Sequence, residues 1–447
     1  TRHYLVVPTL VTFTAAVIGN ILGYTAMKNV VMNMYYHSYS LPPYQTLWNG
    51  DAFILTTVIP CIIITLINLF VIAKALRLPP LQFLRHDFHM KKKKKAAKLP
   101  NFRFLTRFRL RIILQNIPSY IIMVFGIMFA GLLLFFGLAL NPLLSNYKTE
   151  VVNNMICDYQ YVLKAPVETS NDAAEKFCMT TLYESNDEEI SAYGIENGSE
   201  YLSKVNVPKK KNEVVASQGY LEKYSLKVGD RVTLKDKYGE NKYTFKIVGS
   251  YYYPASLCVF MTNDNFNDVF DKDDGYFTGY FSNEKLKDID DKYIATTITQ
   301  KDLTTVTDQL DDSMGMSFTL LVGFSVLIYI ILMYLLSKLV IEKNEQNISM
   351  LKILGYSNRE ASKLYNRATT VVTIGAILVS VPLIYYVFAG LYHYFMFEMK
   401  GWLPYVVPWY VFVEMAVIGI ICYAIIYFIL QKKINKIKLS QALKSDD

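Results

Sequence analysis

The sequence predicts a multi-pass α-helical membrane protein with six spans and one extracytoplasmic mixed α/β domain. Three observations carry this reading. The 447 residues are 52% hydrophobic and 14% aromatic, too apolar for an ordinary soluble chain. Six windows, 5–27, 52–73, 118–140, 315–337, 369–392 and 407–430, have the length a helix needs to cross a hydrocarbon core of ~30 Å. Between the third and fourth lies a polar insert, 142–312, long enough to hold its own core.

In chain order, the first two windows are joined by a short loop carrying Tyr35, Tyr36, Tyr39, Tyr44 and Trp48. Backbone polar groups inside hydrocarbon must be satisfied within the segment, so every window is read as a helix, with Pro60 and Pro382 as kink points. The connection after the second window holds 13 Lys or Arg, including Lys91 to Lys95, against the single acid Asp87. That excess places it on the cytoplasmic side by the positive-inside rule. The segment 338–367, with 6 basic and 3 acidic residues, and the tail with Lys432, Lys433, Lys436 and Lys438 fall on the same side when six helices are threaded in order.

The insert 142–312 then lies outside. It carries 19 basic and 29 acidic residues, a net of −10, so the formal +8 of the whole chain divides between a basic inner face and an acidic outer domain. A nucleic-acid partner is not expected, and the lysine run reads as a solvated or lipid-facing linker. Within the insert, Val228-Gly229-Asp230 forms a turn, Arg231 to Leu234 and Tyr243 to Val248 read as strands, and Lys235 to Asn241 is the hairpin loop between them. The sheet is expected in the second half of the insert, and the acidic stretch 184–199 as loop.

The fourth window leads into Glu342 to Leu354, read as a continuing helix with Ile348, Leu351 and Leu354 at steps of three on one face. Gly355 is its left-handed stop. Ser357 and Glu360 have capping-box spacing for a second helix, so two helices hinge at Gly355-Tyr356. Apolar residues held where lipid cannot cover them fit a docked protein better than a plain connecting loop. The second loop aromatics, Tyr392, Tyr394, Trp402, Tyr405 and Trp409, are read mainly as an interfacial belt. Glu414 is the one acid inside a window, two turns from Pro408, and is read as interfacial.

Other chemistry is sparse. Cys157, Cys178 and Cys258 leave room for one disulfide but show no CxxC spacing. His86 and His89 could share a helical face, yet beside Asp87 and the lysine run they read as exposed linker residues rather than metal ligands. The sequence has no GxxxxGK[ST], GxSxG or HExxH. The chain is therefore read as non-enzymatic, with no cofactor of its own. Gln82-Phe83-Leu84-Arg85 and Gln441-Ala442-Leu443-Lys444 repeat one polar, apolar, leucine, basic order after paired helices, the mark of a duplicated module.

The stretch NISMLKILGYSNREASKLY resembles the cytoplasmic signature of the FtsX-like permease family, the membrane subunits of mechanically acting ABC transporters, usually a REIATLKVLG-like run followed by a short helix. LPPLQFLR and KLSQALK resemble the family's I-x-P-x-E-x-L-R tails. RFRLRIILQNIPSYIIMVFGIMFAGLLLFFG resembles its amphipathic lead-in helix and first span, and LEKYSLKVGDRVTL its exterior domain. Asn347, Ile348 and Ser349 depart from the family's Arg-Glu-Ile, so a charged contact with the partner is either missing or moved to Glu342, Lys343 or Glu345.

The resemblance implies an organisation. Residues 1–87 would be the last two spans and tail of a first half, 88–111 a basic linker and the start of the lead-in helix, and 112–141 the third span. Residues 142–312 would be the exterior domain, 313–341 the fourth span, 342–367 the coupling segment, 368–431 the last two spans and 432–447 the tail. The chain would then be the C-terminal portion of a longer duplicated permease in a bacterial plasma membrane.

The implied function is mechanotransmission. Cytoplasmic ATPase subunits, which hold the ATP and Mg, would push on Ile348, Leu351, Leu354, Gly355, Tyr356, Ser357, Asn358, Arg359 and Glu360. The third and fourth spans would act as levers on the exterior domain, exporting or extracting a peptide, lipid or lipoprotein-like substrate. The alternatives are a non-transporting regulator of an exterior cell-wall hydrolase or a sensor kinase, and a passive membrane-anchored binding module.

Overall fold

The computed structural model describes residues 2–38, 41–76, 100, 104–238 and 240–437. Residues 82–85, His86, His89, Lys91 to Lys95, Lys438 and 441–444 lie outside them, so the linker and tail expectations stay with the sequence. The described residues hold six helices long and apolar enough to cross a membrane. The chain divides into two compact units, one of residues 1–134, 312–381 and 414–447, the other of 135–311 and 382–413.

In the first unit, α1 (Arg2–Leu22) continues through a π segment (Gly23–Met27) into α2 (Lys28–Ser38). The returning arm is α3 (Gly50–Phe53), a π segment (Ile54–Val58) and α4 (Ile59–Leu76). Asn49 caps this arm, its side chain accepting from the Asp51 and Ala52 amides. The π turn ends two residues before Pro60, whose missing N–H removes a bond from the helical ladder. The two arms meet through Asn20, which donates to Thr57 Oγ1 at 2.8 Å and accepts from Thr56 Oγ1 at 2.9 Å.

The rest of this unit is built by α5 (Phe104–Gln115) and parts of four longer helices: α6 (Ile117–Asn153), α9 (Gln300–Lys343), α11 (Asn358–Glu398) and α12 (Trp409–Asn435), with the short α10 (Glu345–Ile353) between two of them. Their shared core includes Met123, Ile127, Tyr329, Met333, Ile348, Ala368 and Ile426. Hydrogen bonds cross it, Tyr120 to Thr369 at 3.3 Å and Thr370 to Tyr423 at 2.9 Å. Between apolar helices, where hydrophobic burial discriminates little, such bonds and close packing decide which faces meet.

The second unit contains a nine-stranded mixed sheet, ordered β3-β7-β4-β6-β5-β2-β8-β1-β9. Its strands are β1 (Tyr159–Leu163), β2 (Glu175–Tyr183), β3 (Glu189–Ile195), β4 (Glu213–Ser217), β5 (Arg231–Lys235), β6 (Lys242–Tyr251), β7 (Cys258–Thr262), β8 (Gly279–Ser282) and β9 (Ile294–Thr299). Strand β2 also pairs with β3, so six of the strands close into a ring. The short helices α7 (Gln218–Tyr224) and α8 (Asn263–Val269) follow β4 and β7.

The expected hairpin is present. Strands β5 and β6 pair antiparallel from Arg231↔Lys246 to Lys235↔Lys242, with β5 alternating exposed and buried residues. Two expectations are corrected. The sheet spans the whole insert rather than its second half, because β1, β2 and β3 precede residue 200. The stretch 184–199 is not simply loop: β3 lies inside it, pairing parallel with β7 from Ser191↔Cys258 to Ile195↔Thr262. Glu184, Asp187, Glu188 and Glu189 precede or open the strand and Glu196 follows it, whereas Ile190 and Ala192 to Ile195 are buried.

Helix α6 runs on past Pro142 to Asn153 and α9 begins at Gln300, so the positions 142 and 312 fall within helices. All five cysteines are free. Burial pushes the Cys157, Cys178 and Cys258 thiols up to about 12, out of the reactive thiolate range.

Candidate functional site: an exposed apolar corner at Gly355

Helix α9 does not continue into the segment after it. Asn344, at φ −109° and ψ 11°, interrupts the helix, its Nδ2 donating back to Val340 O at 2.7 Å. Its carbonyl accepts from Ile348 N at 2.9 Å and so opens α10 as a separate element. The side chain of Asn344 is buried, which makes this break part of the packed core.

The far end of α10 closes as the sequence predicts. Gly355 sits at φ +93°, a conformation open to glycine without steric cost. The Tyr356 amide donates to Leu351 O and the Gly355 amide to Lys352 O, both at 3.2 Å, the paired bonds of a Schellman stop. Ser357 and Glu360 then form a reciprocal capping box that starts α11. Ser357 N donates to Glu360 Oε2 at 2.9 Å, and Glu360 N to Ser357 Oγ at 3.3 Å. The six residues from Gly355 to Glu360 thus turn the chain through a corner fixed by hydrogen bonds at both helix ends.

The expected apolar stripe needs correction. Ile348 is fully buried in the helix core, and Leu351 is half-buried. At about 100° per residue, six residues carry Leu354 roughly 240° around the helix from Ile348, so a step of three cannot hold one face. The exposed apolar residues are Met350, Ile353, Leu354, which is 70% exposed, and Tyr356. Asn358, Arg359 and Glu360 lie exposed beyond them. A groove of about 260 Å³ flanks this patch, bounded by Phe108, Arg111 and Gln115 of α5 and by Met350, Leu351 and Leu354.

Two cationic contacts secure the corner from beneath. Lys352 Nζ donates to the carbonyls of Ile434 at 2.9 Å and Ile437 at 3.1 Å, capping the C-terminal end of α12 where the helix dipole favours a cation. Burial lowers the Lys352 pKa from the ordinary lysine value. Lys433 meets Glu342 at 2.6 Å, tying the same end of α12 to the last turn of α9.

Glu414 lies elsewhere. It is exposed on the second turn of α12, and among the described residues its carboxylate makes no hydrogen bond or ion pair. The second-loop aromatics are not simply a belt. Tyr392 is buried and donates to Leu403 O at 3.0 Å, and Trp402 Nε1 donates to Glu222 at 2.9 Å. Among the described residues no group of three His, Cys, Asp or Glu is placed to hold a metal ion.

Residues 319–439 match the family model for the FtsX-like permease C-terminal domain. This segment is similar to the C-terminal domain of FtsX-like permeases. The FtsX-like match takes in most of α9, the corner at Gly355 and the whole of α11 and α12. No curated protein matches the chain. With the six apolar helices, the FtsX-like match points to a multi-pass membrane protein, a permease-type component of an ABC-type system. FtsX-like permeases typically pair with an ABC ATPase, a partner of a general kind.

Proposed function

We propose that this chain is the permease subunit of an ABC transporter in a bacterial plasma membrane. A separate cytoplasmic ATPase, holding ATP and Mg, would couple its hydrolysis to movement of the extracytoplasmic sheet domain. The substrate class is a peptide, lipid or lipoprotein-like molecule, exported or extracted. The observation that carries the reading is the exposed apolar end of α10: Met350, Ile353, Leu354 and Tyr356 on a corner held by a Schellman stop and a capping box. Apolar groups on a rigid turn fit a protein pocket, and helix-in-groove docking uses such anchors.

The basic loops support the orientation. The connection after α4, the segment 338–367 and the end of α12 all carry excess Lys and Arg, which supports a cytoplasmic position for the corner. In this arrangement Arg359 is available for an acid on the ATPase.

Leu354→Asp tests the docking claim, because it puts a charge into the apolar contact while replacing a residue that contributes little to the chain's own core. Co-expressed with candidate ATPases, the variant is expected to insert normally and to retain at least about tenfold less ATPase on purification, a loss of ~1.4 kcal/mol in binding. Retention equal to the parent's would remove the corner as the docking point.

A further inference from the structure

In the second unit, Lys223 of α7 is fully buried and Glu188, just before β3, is 7% exposed at its side chain. Lysine is almost never buried in this way unless paired. Its Nζ lies 2.9 Å from Glu188 Oε2 and donates to the carbonyls of Met399 at 2.7 Å and Gly401 at 3.0 Å, which uses all three ammonium protons. Glu188 Oε1 in turn accepts from the Gly401 amide at 2.6 Å. The loop joining α11 to α12 is therefore held by a closed ring of charge-assisted bonds.

Neighbouring contacts extend the grip. Trp402 Nε1 donates to Glu222 at 2.9 Å, and its indole lies against Gly219, where an added Cβ would stand 3.2 Å from the ring. Tyr224 packs edge-on against Phe397 at 5.6 Å. The loop is thereby part of the sheet domain, although 176 residues separate Met399 from Lys223. Helix α11 runs unbroken from Asn358, directly after the capping serine, to Glu398, directly before the clamped carbonyl of Met399. The helix is 41 residues long and carries Pro382 within it.

We propose that the Lys223–Glu188 ring is a mechanical clamp through which α11 transmits movement between the Gly355 corner and the sheet domain. This transmission rests on the proposed ATPase docking and adds to it a path through the fifth span, beside the direct chain connections of α6 and α9. A buried charged ring suits that task because its bonds are directional: a loop that slid over the sheet would strand two charges in a dry interior. The residues act by position and touch no substrate.

The test uses the full chain in nanodiscs with its co-purified ATPase, followed by hydrogen exchange with and without Mg–ATP and vanadate. Lys223→Met with Glu188→Gln removes both charges together. Trp402→Phe is the milder variant, which loosens the loop without touching the pair. Without nucleotide, the Gly401 amide is expected to exchange at least tenfold faster in the double variant and at an intermediate rate in Trp402→Phe; parent-like rates in both would overturn the clamp.

With vanadate, the parent is expected to change exchange at least twofold both at residues 350–360 and at residues 213–224. The double variant should keep the first response, its bound ATPase and its basal turnover, and lose most of the second. A full response at 213–224 with the Gly401 amide freely exchanging would overturn the transmission. Absence of a response at 350–360 in the parent would instead overturn the docking reading, and the transmission with it. The nucleotide-free Gly401 rate still decides the clamp in that case.

Discussion

Gly355→Val is expected to abolish productive coupling while the six helices still insert. At φ +93° a β-branched side chain meets its own backbone, at a cost of about 1–3 kcal/mol for holding a non-glycine residue there. Valine can escape only by leaving the left-handed region. The Tyr356-to-Leu351 and Gly355-to-Lys352 bonds would then break and the direction in which α11 leaves the corner would change. Space is not the obstacle, because nothing lies within 4 Å of where the Cβ would sit. The expected result is a fall of at least about tenfold in ATPase turnover of the complex, with Gly355→Ala intermediate because alanine lacks the β-branch. Membrane-fraction yield and turnover on one preparation measure it.

Lys352→Met is expected to separate binding from turnover. The lysine faces the carbonyls of Ile434 and Ile437, away from the exposed patch of Met350, Ile353 and Leu354, so the bound ATPase should be retained. The carbonyls at the end of α12 would lose their cationic cap, worth about 1–2 kcal/mol where a charge meets a partly buried helix terminus. The last turn of α12 should then fray, and the corner should no longer move with the sixth span. Turnover is expected to drop about five- to thirtyfold, the rate equivalent of that loss, with faster hydrogen exchange over residues 430–437. Lys352→Arg keeps the charge and should recover most of both. Unchanged turnover in Lys352→Met would mean that α10 and α12 move independently.

The parts legible in the sequence were those set by local rules. Charge-free windows found the six apolar helices, since hydropathy over some twenty residues needs no tertiary context. Gly355, Ser357 and Glu360 were readable because a left-handed stop and a capping box are written in six consecutive residues. The β5–β6 hairpin was equally local.

Where the reading failed, tertiary packing or a long sequence separation had decided the outcome. Ile348 belonged to the core because α10 packs beside the other helices, and steps of three drift too far around a helix to report one face. Asn344 ended α9 through a buried side chain that no composition rule marks. Strand β3 was hidden by Glu184, Asp187, Glu188 and Glu189, although the run Ile190 to Ile195 is rich in apolar residues. Glu188 is drawn inside by Lys223, and Lys223 by carbonyls of a loop 176 residues away. Nothing near either residue in the sequence announces the pair.

Photo-crosslinking from single positions tests the central claim most directly. A benzoylphenylalanine placed at Leu354 or Tyr356 lies on the exposed corner, whereas one at Glu414 lies exposed on the same chain but outside it. With the ATPase co-expressed and the membrane intact, irradiation is expected to give an adduct of permease plus ATPase from Leu354 and Tyr356, and none from Glu414. A complex that purifies intact yet forms no adduct from Leu354 or Tyr356 would contradict the assignment of this corner as the ATPase docking point.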